Sequence, residues 1–267
     1  PLEPWAAAVR TRVAGADAVV LELLDRIRAA LAGCATATLL HGPPGCGKTL
    51  LARALGEVAG LQCRWFEPPT SAAPAVAETA LHSAIEAAVE RARCVFILDE
   101  LEAFAPARAL LGGREHRLIV QLADGMERLR AAGVYVLGIC RSPANVHPAL
   151  RRAGRLDHHL AMRAPDPAER FAVLRLHAAR LVDCADDAAL AALRGVAAEA
   201  HGLCGAQLAG VCQHAAMAAW RRQRADADAD AAGARPMLPP TAAEWSAALR
   251  TARADALSTQ RLELQQP

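Results

Sequence analysis

The chain has 267 residues, of which 54% are apolar and 22% charged, with a net charge of +2. That length carries one large or two modest domains with a real core, and the near-neutral balance excludes a basic nucleic-acid arm or an acidic tail. No apolar run approaches the roughly 18 residues of a membrane-spanning helix, and residues 1–5 lack the basic stretch and apolar core of a secretory signal.

Residues 17–31 place Val19, Val20, Leu23, Leu24, Ile27 and Leu31 at three- and four-residue steps, the stripe of an amphipathic helix. Residues 35–40 are short and β-branched, enter a Gly/Pro-rich turn and lead to a helical pattern over 49–58. The unit then repeats, with strands predicted over 61–66, 94–98 and 134–139 and helices over 76–91 and 114–129. Alternating strands and helices predict a parallel sheet with helices on both faces. After Pro165 only helical patterns remain, over 167–182, 187–200, 205–222 and 241–256. The Ala-Asp, Gly and Pro chemistry of 221–240 predicts a mobile loop. The expected domains are an α/β unit over 1–164 and a helical unit over 165–258, with 259–267 as linker or tail.

The turn after the first strand reads Gly42-Pro43-Pro44-Gly45-Cys46-Gly47-Lys48-Thr49, which fits G-x-x-x-x-G-K-[ST] in its required strand-to-helix setting. Glycines let backbone N–H groups wrap a phosphate chain, and the helix behind points its positive end at the same anion. Lys48 would reach the β- and γ-phosphates, and the Thr49 hydroxyl would ligate magnesium. Composition sharpens the point. Alanine is about a quarter of the chain, Asn145 and Tyr135 are each alone of their kind, and of 30 basic residues only Lys48 is lysine. A pressure that replaced lysine elsewhere left it where a compact point charge fits and a planar guanidinium does not. The apolar strand over 95–98 ends in Asp99 and Glu100: Asp99 would hold hydrated magnesium, and Glu100 would deprotonate a water for attack on the γ-phosphate. The eight cysteines form no C-x-x-C pair, so reduced thiols rather than structural zinc are expected.

With these motifs in place, the chain resembles the AAA family of ATPases, in the clade of valosin-containing protein. Three further segments carry the likeness: Pro148-Ala149-Leu150-Arg151-Arg152-Ala153-Gly154-Arg155-Leu156-Asp157, the stretch from Pro165-Asp166 to His177, and His201-Gly202-Leu203-Cys204-Gly205-Ala206-Gln207-Leu208. The resemblance implies a five-stranded P-loop sheet followed by a small helical lid. ATP or ADP with Mg2+ would be bound by Pro44, Gly45, Cys46, Gly47, Lys48, Thr49, Leu50 and Asp99. It assigns Val13, Ala14, His177, Gly205 and Ala206 to the adenosine side. It gives Arg152 and Arg155 the part of arginine fingers that enter a neighbouring subunit's site. The partners it implies are subunits of a homo- or hetero-hexameric ring, and a protein substrate or adaptor. No nucleic acid is expected, and the location expected is cytoplasmic, with nuclear or peripheral organelle association allowed. Because the chain opens on Pro1, it is expected to be a piece of a longer polypeptide.

Three departures qualify the carry-over. Arg141 stands at the polar residue that senses γ-phosphate; a guanidinium donates hydrogen bonds but accepts none, so slow hydrolysis, or binding without fast turnover, is expected. Asn145, four residues on, is not expected to substitute for it. Residues 68–75, where relatives carry a substrate-gripping aromatic, have none, and His147 replaces an acid before Pro148. The function expected is therefore an ATP-binding and ATP-hydrolysing module of a hexameric protein-remodelling complex, the rival being a weakly hydrolysing ring subunit that uses ATP for assembly. A clamp-loader-like role is disfavoured by the near-neutral charge. Residues 133–137 look like the peroxisome-biogenesis relatives, whereas the missing aromatic and residues 248–257 look like the ribosome-maturation ones.

Overall fold

The computed structural model describes residues 3–34, 37–58, 60–67, 74–109, 113–181, 186–226 and 238–264. Contacts divide the chain into two units, Pro1–Arg12 with Asp17–Arg163, and Val13–Ala16 with Ala164–Pro267. The first unit runs α1 (Glu3–Arg10), α2 (Asp17–Leu31), β1 (Ala37–His41), α3 (Lys48–Leu55), β2 (Cys63–Phe66), α4 (Pro74–Arg91), β3 (Val95–Leu98), α5 (Leu101–Phe104), α6 (Arg114–Ala131), β4 (Tyr135–Cys140) and β5 (His158–Ala161). Two 3-10 turns, Pro143–Asn145 and Pro148–Arg151, lie before β5.

The strands form one sheet in the order β2-β3-β4-β1-β5, and every pairing is parallel. Neighbouring residues of a strand face opposite ways. Phe96 and Leu98 join a core with Leu81 and Ile85 of α4 and Leu118 and Leu122 of α6, while Val95 and Ile97 are fully buried too. Burial on both faces is what a parallel sheet demands, and it explains the unbroken apolar run of β3. Where α4 and α6 cross, Gly125 lets them close up: a Cβ there would meet Ile85 Cδ1 at 2.5 Å. The register brings strand ends together, with Leu98 opposite Gly138 and His41 opposite Cys140. The residues that follow β1, β3 and β4 therefore emerge at one edge of the sheet, the usual place for a ligand in such folds.

The chain is thus α/β, a five-stranded parallel sheet with helices, consistent with a P-loop NTPase fold plus a helical subdomain. β5 has no counterpart in the predicted strands. Its sequence, His-His-Leu-Ala, holds no apolar run, and only Leu160 is buried, as suits an edge strand paired with β1 alone.

The second unit holds α7 (Pro167–Ala178), α8 (Asp187–Glu199), α9 (Gly205–Asp226) and α10 (Ala242–Leu264). Asp166 and Glu169 form a reciprocal capping box at the start of α7, and Asp186 caps α8. Leu174, Leu193, Leu208, Val211 and Trp245 pack together, with Ala14 against them. Arg170 is 4% exposed and joins two segments of this unit by donating to the carbonyls of Ala197 (2.7 Å) and Pro165 (3.0 Å). α9 runs into the stretch expected to be loop: Arg222 pairs with Glu244 at 2.9 Å and donates to the Pro239 carbonyl at 3.0 Å, which holds the helix end through Asp226. Residues 227–237 of that expected loop, and 68–73 of the segment without an aromatic, lie outside the described residues. The expected tail begins inside α10, which continues to Leu264. The described residues contain no helix long and apolar enough to cross a membrane.

Candidate functional site

β1 delivers the chain at His41 into the glycine-rich turn. Gly42, Gly45 and Gly47 have φ of 153°, 77° and 93°, conformations that side chains with a Cβ rarely adopt. At Gly42 there is also no room, since a Cβ would lie 2.1 Å from the Met162 carbonyl oxygen. Gly47 precedes α3 in the left-handed conformation and offers no side-chain cap. The first N–H groups of α3 are left to an anion, and the helix dipole favours one there.

Lys48 is 9% exposed, and its Nζ donates to the carbonyls of Gly42 (2.7 Å) and Pro43 (2.8 Å). The ammonium group is thus held against its own loop by neutral acceptors, which an anionic oxygen would outcompete. At the end of β3, the Glu100 N–H donates to Asp99 Oδ1 at 2.9 Å. Glu100 itself has φ 49°, a left-handed conformation that costs a non-glycine residue about 1–3 kcal/mol and collects at functional sites. At the end of β4, the Arg141 N–H donates to Glu102 Oε1 at 2.9 Å, and the Arg141 carbonyl accepts from the Gly42 N–H at 3.2 Å. Cys140 beside it is buried, which pushes its thiol up to about 12, with the Glu102 charge adding to the rise. That thiol stays protonated and inert.

These three strand ends enclose a cleft of 460 Å³, within the range that takes a small ligand. Of the residues the sequence singled out, Pro44, Gly45, Lys48, Thr49, Asp99, Glu100 and Arg141 line it. Cys46, Gly47 and Leu50 belong to the same turn and helix but are not part of its wall. Two residues are additions. Glu102, two residues beyond Glu100 on α5, was given no role by the sequence, although an acid so close to the Asp-Glu pair was a signal that could have been followed. Asn145, discounted as too far along its loop, lines the cleft as well. The 3-10 turn carrying it is started by Ser142, whose hydroxyl accepts from the Ala144 N–H, and is anchored by the Asn145 carbonyl, which accepts from the Ala107 N–H at 2.8 Å.

Arg152 and Arg155 line a different cleft of the same unit, about 830 Å³ in volume, together with Cys34, Glu127 and Arg130. Arg155 is 20% exposed; its Nη1 donates to the Ala149 carbonyl at 2.8 Å and its Nη2 lies 3.8 Å from Glu127. His147, whose replacement of an acid had no explanation in the sequence, caps the following 3-10 turn, with Nδ1 accepting from the Ala149 N–H at 3.3 Å. In the second unit Val13 is buried and Gly205 opens α9 with Ala206 behind it. Burial, then the Arg180 charge, holds the His177 imidazole below its ordinary value.

The family model for the ATPase family associated with various cellular activities (AAA) matches residues 38–164. The match supports an AAA ATPase module that binds nucleotide. It takes in the glycine-rich turn, the Asp99-Glu100 pair, Arg141 and both arginines of the second cleft. Magnesium, which commonly accompanies nucleotide in such modules, fits the residues present. Thr49 and Asp99 supply the hard oxygen donors it takes, and the Glu102 Oε2 is buried with no hydrogen-bond partner among the described residues. Among those residues no three His, Cys, Asp or Glu side chains converge to hold a metal unaided, so an ion here would keep waters and phosphate oxygens in its shell, as magnesium does.

Proposed function

We propose that the AAA module binds Mg·ATP in the 460 Å³ cleft and hydrolyses it, as one subunit of a hexameric ring that remodels protein. The observation that carries this reading is the convergence of Lys48, Thr49, Asp99 and Glu100 on one cleft behind an uncapped helix N-terminus. In the proposed reaction Lys48 exchanges its carbonyl partners for β- and γ-phosphate oxygens. Glu100 takes a proton from water as the water oxygen bonds to the γ-phosphorus, the bond to the β-phosphate oxygen breaks, and ADP departs. Thr49 and Asp99 would hold the magnesium ion, which neutralises charge on the transferring group.

Arg152 and Arg155 belong to a cleft separate from the one that holds Lys48. In this reading they act on the nucleotide of the adjoining subunit, where guanidinium groups stabilise charge on the transferring phosphate. Within the second unit, Val13, Ala14, His177, Gly205 and Ala206 are the residues proposed to contact adenosine. Arg141 favours the rival, a ring subunit that holds ATP for assembly and turns it over slowly, because its guanidinium accepts no hydrogen bond from an attacking water. Phosphate release by the assembled wild type and by Glu100→Gln separates the two. The enzyme reading expects a fall of about 10²–10⁴-fold; equal rates would leave ATP as an assembly ligand.

A further inference from the structure

We infer that Glu102 is a positioning residue of this cleft, which accepts a hydrogen bond from a water in the shell of the magnesium ion that accompanies the nucleotide. The inference rests on the Mg·ATP reading of the site and concerns a residue to which that reading gives no part.

α5 is anchored by Leu101 and Phe104, both buried, which fixes the short turn that carries Glu102. One carboxylate oxygen, Oε1, is committed to the Arg141 N–H at 2.9 Å, so the group cannot swing out without leaving that N–H unpaired. The other, Oε2, is buried and has no partner among the described residues. A buried acceptor on a carboxyl group calls for a donor, and an orphan in a polar cleft marks a missing water or ion. The nearby cations are not aimed at it: Lys48 Nζ is spent on two carbonyls, and no hydrogen bond or ion pair joins the Arg141 side chain to Glu102. Phosphate oxygens are themselves acceptors and cannot satisfy it. What remains is a water, and one ligated to a divalent ion is the better donor because the ion polarises it. Three carboxylates, Asp99, Glu100 and Glu102, face two cations, Lys48 and Arg141, around the cleft, which adds a net pull on a hydrated cation. Groups that orient a metal's ligands in this way govern its affinity.

The test uses the full chain and Glu102→Gln, which keeps an acceptor for the Arg141 N–H and puts an amide donor where the orphan oxygen lies. ATP affinity is measured by calorimetry with Mg2+ and again in EDTA. The expected result is a loss of about 10–100-fold in the Mg2+ titration with the EDTA titration unchanged, a split that a merely structural role would not produce. Mn2+ in place of Mg2+ gives a second readout, the resonance of its bound waters, which should differ between wild type and variant. If Glu102→Gln melts early, Glu102→Asp, which keeps the charge but withdraws it by one methylene, is read in the same two titrations. A full Mg2+ gain in the folded variant overturns the inference while leaving ATP binding in place. A wild type that binds no ATP in either condition overturns the nucleotide reading instead.

Discussion

Lys48 and the arginines of the second cleft are both cations of the α/β unit, yet the structure treats them in opposite ways. The single lysine is buried and satisfied by two carbonyls of its own loop, in a cleft that also supplies carboxylates, a hydroxyl and an uncapped helix end. Around the other cleft Arg130 and Arg152 make no ion pair with a described residue, and Arg155 meets only the 76% exposed Glu127 at 3.8 Å. The first cleft contains acid, base and anion cradle together. The second has three guanidinium groups, of Arg130, Arg152 and Arg155, and a single carboxylate, Glu127, in its wall. In the proposed reading the first is a nucleotide site, and the second offers its arginines to the site of the adjoining subunit.

The comparison breaks most readily at Arg155. Arg155→Ala is expected to leave ATP affinity unchanged while turnover of a ring of identical subunits falls by about 10³–10⁵-fold, the usual worth of an arginine supplied in trans. Steady-state phosphate release beside a binding titration reads both, and undiminished turnover would return the arginines to a surface role.

A smaller effect sharpens the contrast through pH. His41 adjoins the cleft and is held below its ordinary value of 6.5 by burial, then by His159 and Lys48. His147, near the arginines, is lowered by burial, then by His116, Arg152 and Arg151. Both pKa values are depressed, so the unfolded chain takes up protons first. Their contribution is fully present above about pH 6.5 and is lost as the pH falls through the lower folded values. Thermal midpoints at about pH 7.5 and about pH 5.5 should therefore drop more for the wild type than for His41→Gln. Equal drops would show that His41 does not contribute to the pH dependence.

The glycine-rich turn and the Asp-Glu pair were legible because their chemistry is contiguous: strand, turn and helix are neighbours in sequence, and the lone lysine marks itself by contrast with the arginines. β3 and β4 were legible for the related reason that a strand buried on both faces needs an unbroken apolar run. The additions share the opposite property. Glu102 gains its meaning from the Arg141 N–H 39 residues away, and Asn145 reaches the wall because its turn is tied to Ala107. No local pattern encodes either partner. β5 hid because an edge strand held by backbone pairing asks little of its side chains, and the end of α9 hid because Arg222 and Glu244, 22 residues apart, override a run of loop-forming residues.

Calorimetric titration of Mg·ATP into the wild type and into Lys48→Ala tests the central claim most directly. The account predicts saturable one-to-one binding by the wild type and no measurable binding by the variant, with the variant's melting temperature showing that it is folded. Equal ATP affinity in the two proteins would contradict it, because the only lysine in the chain would then hold no phosphate.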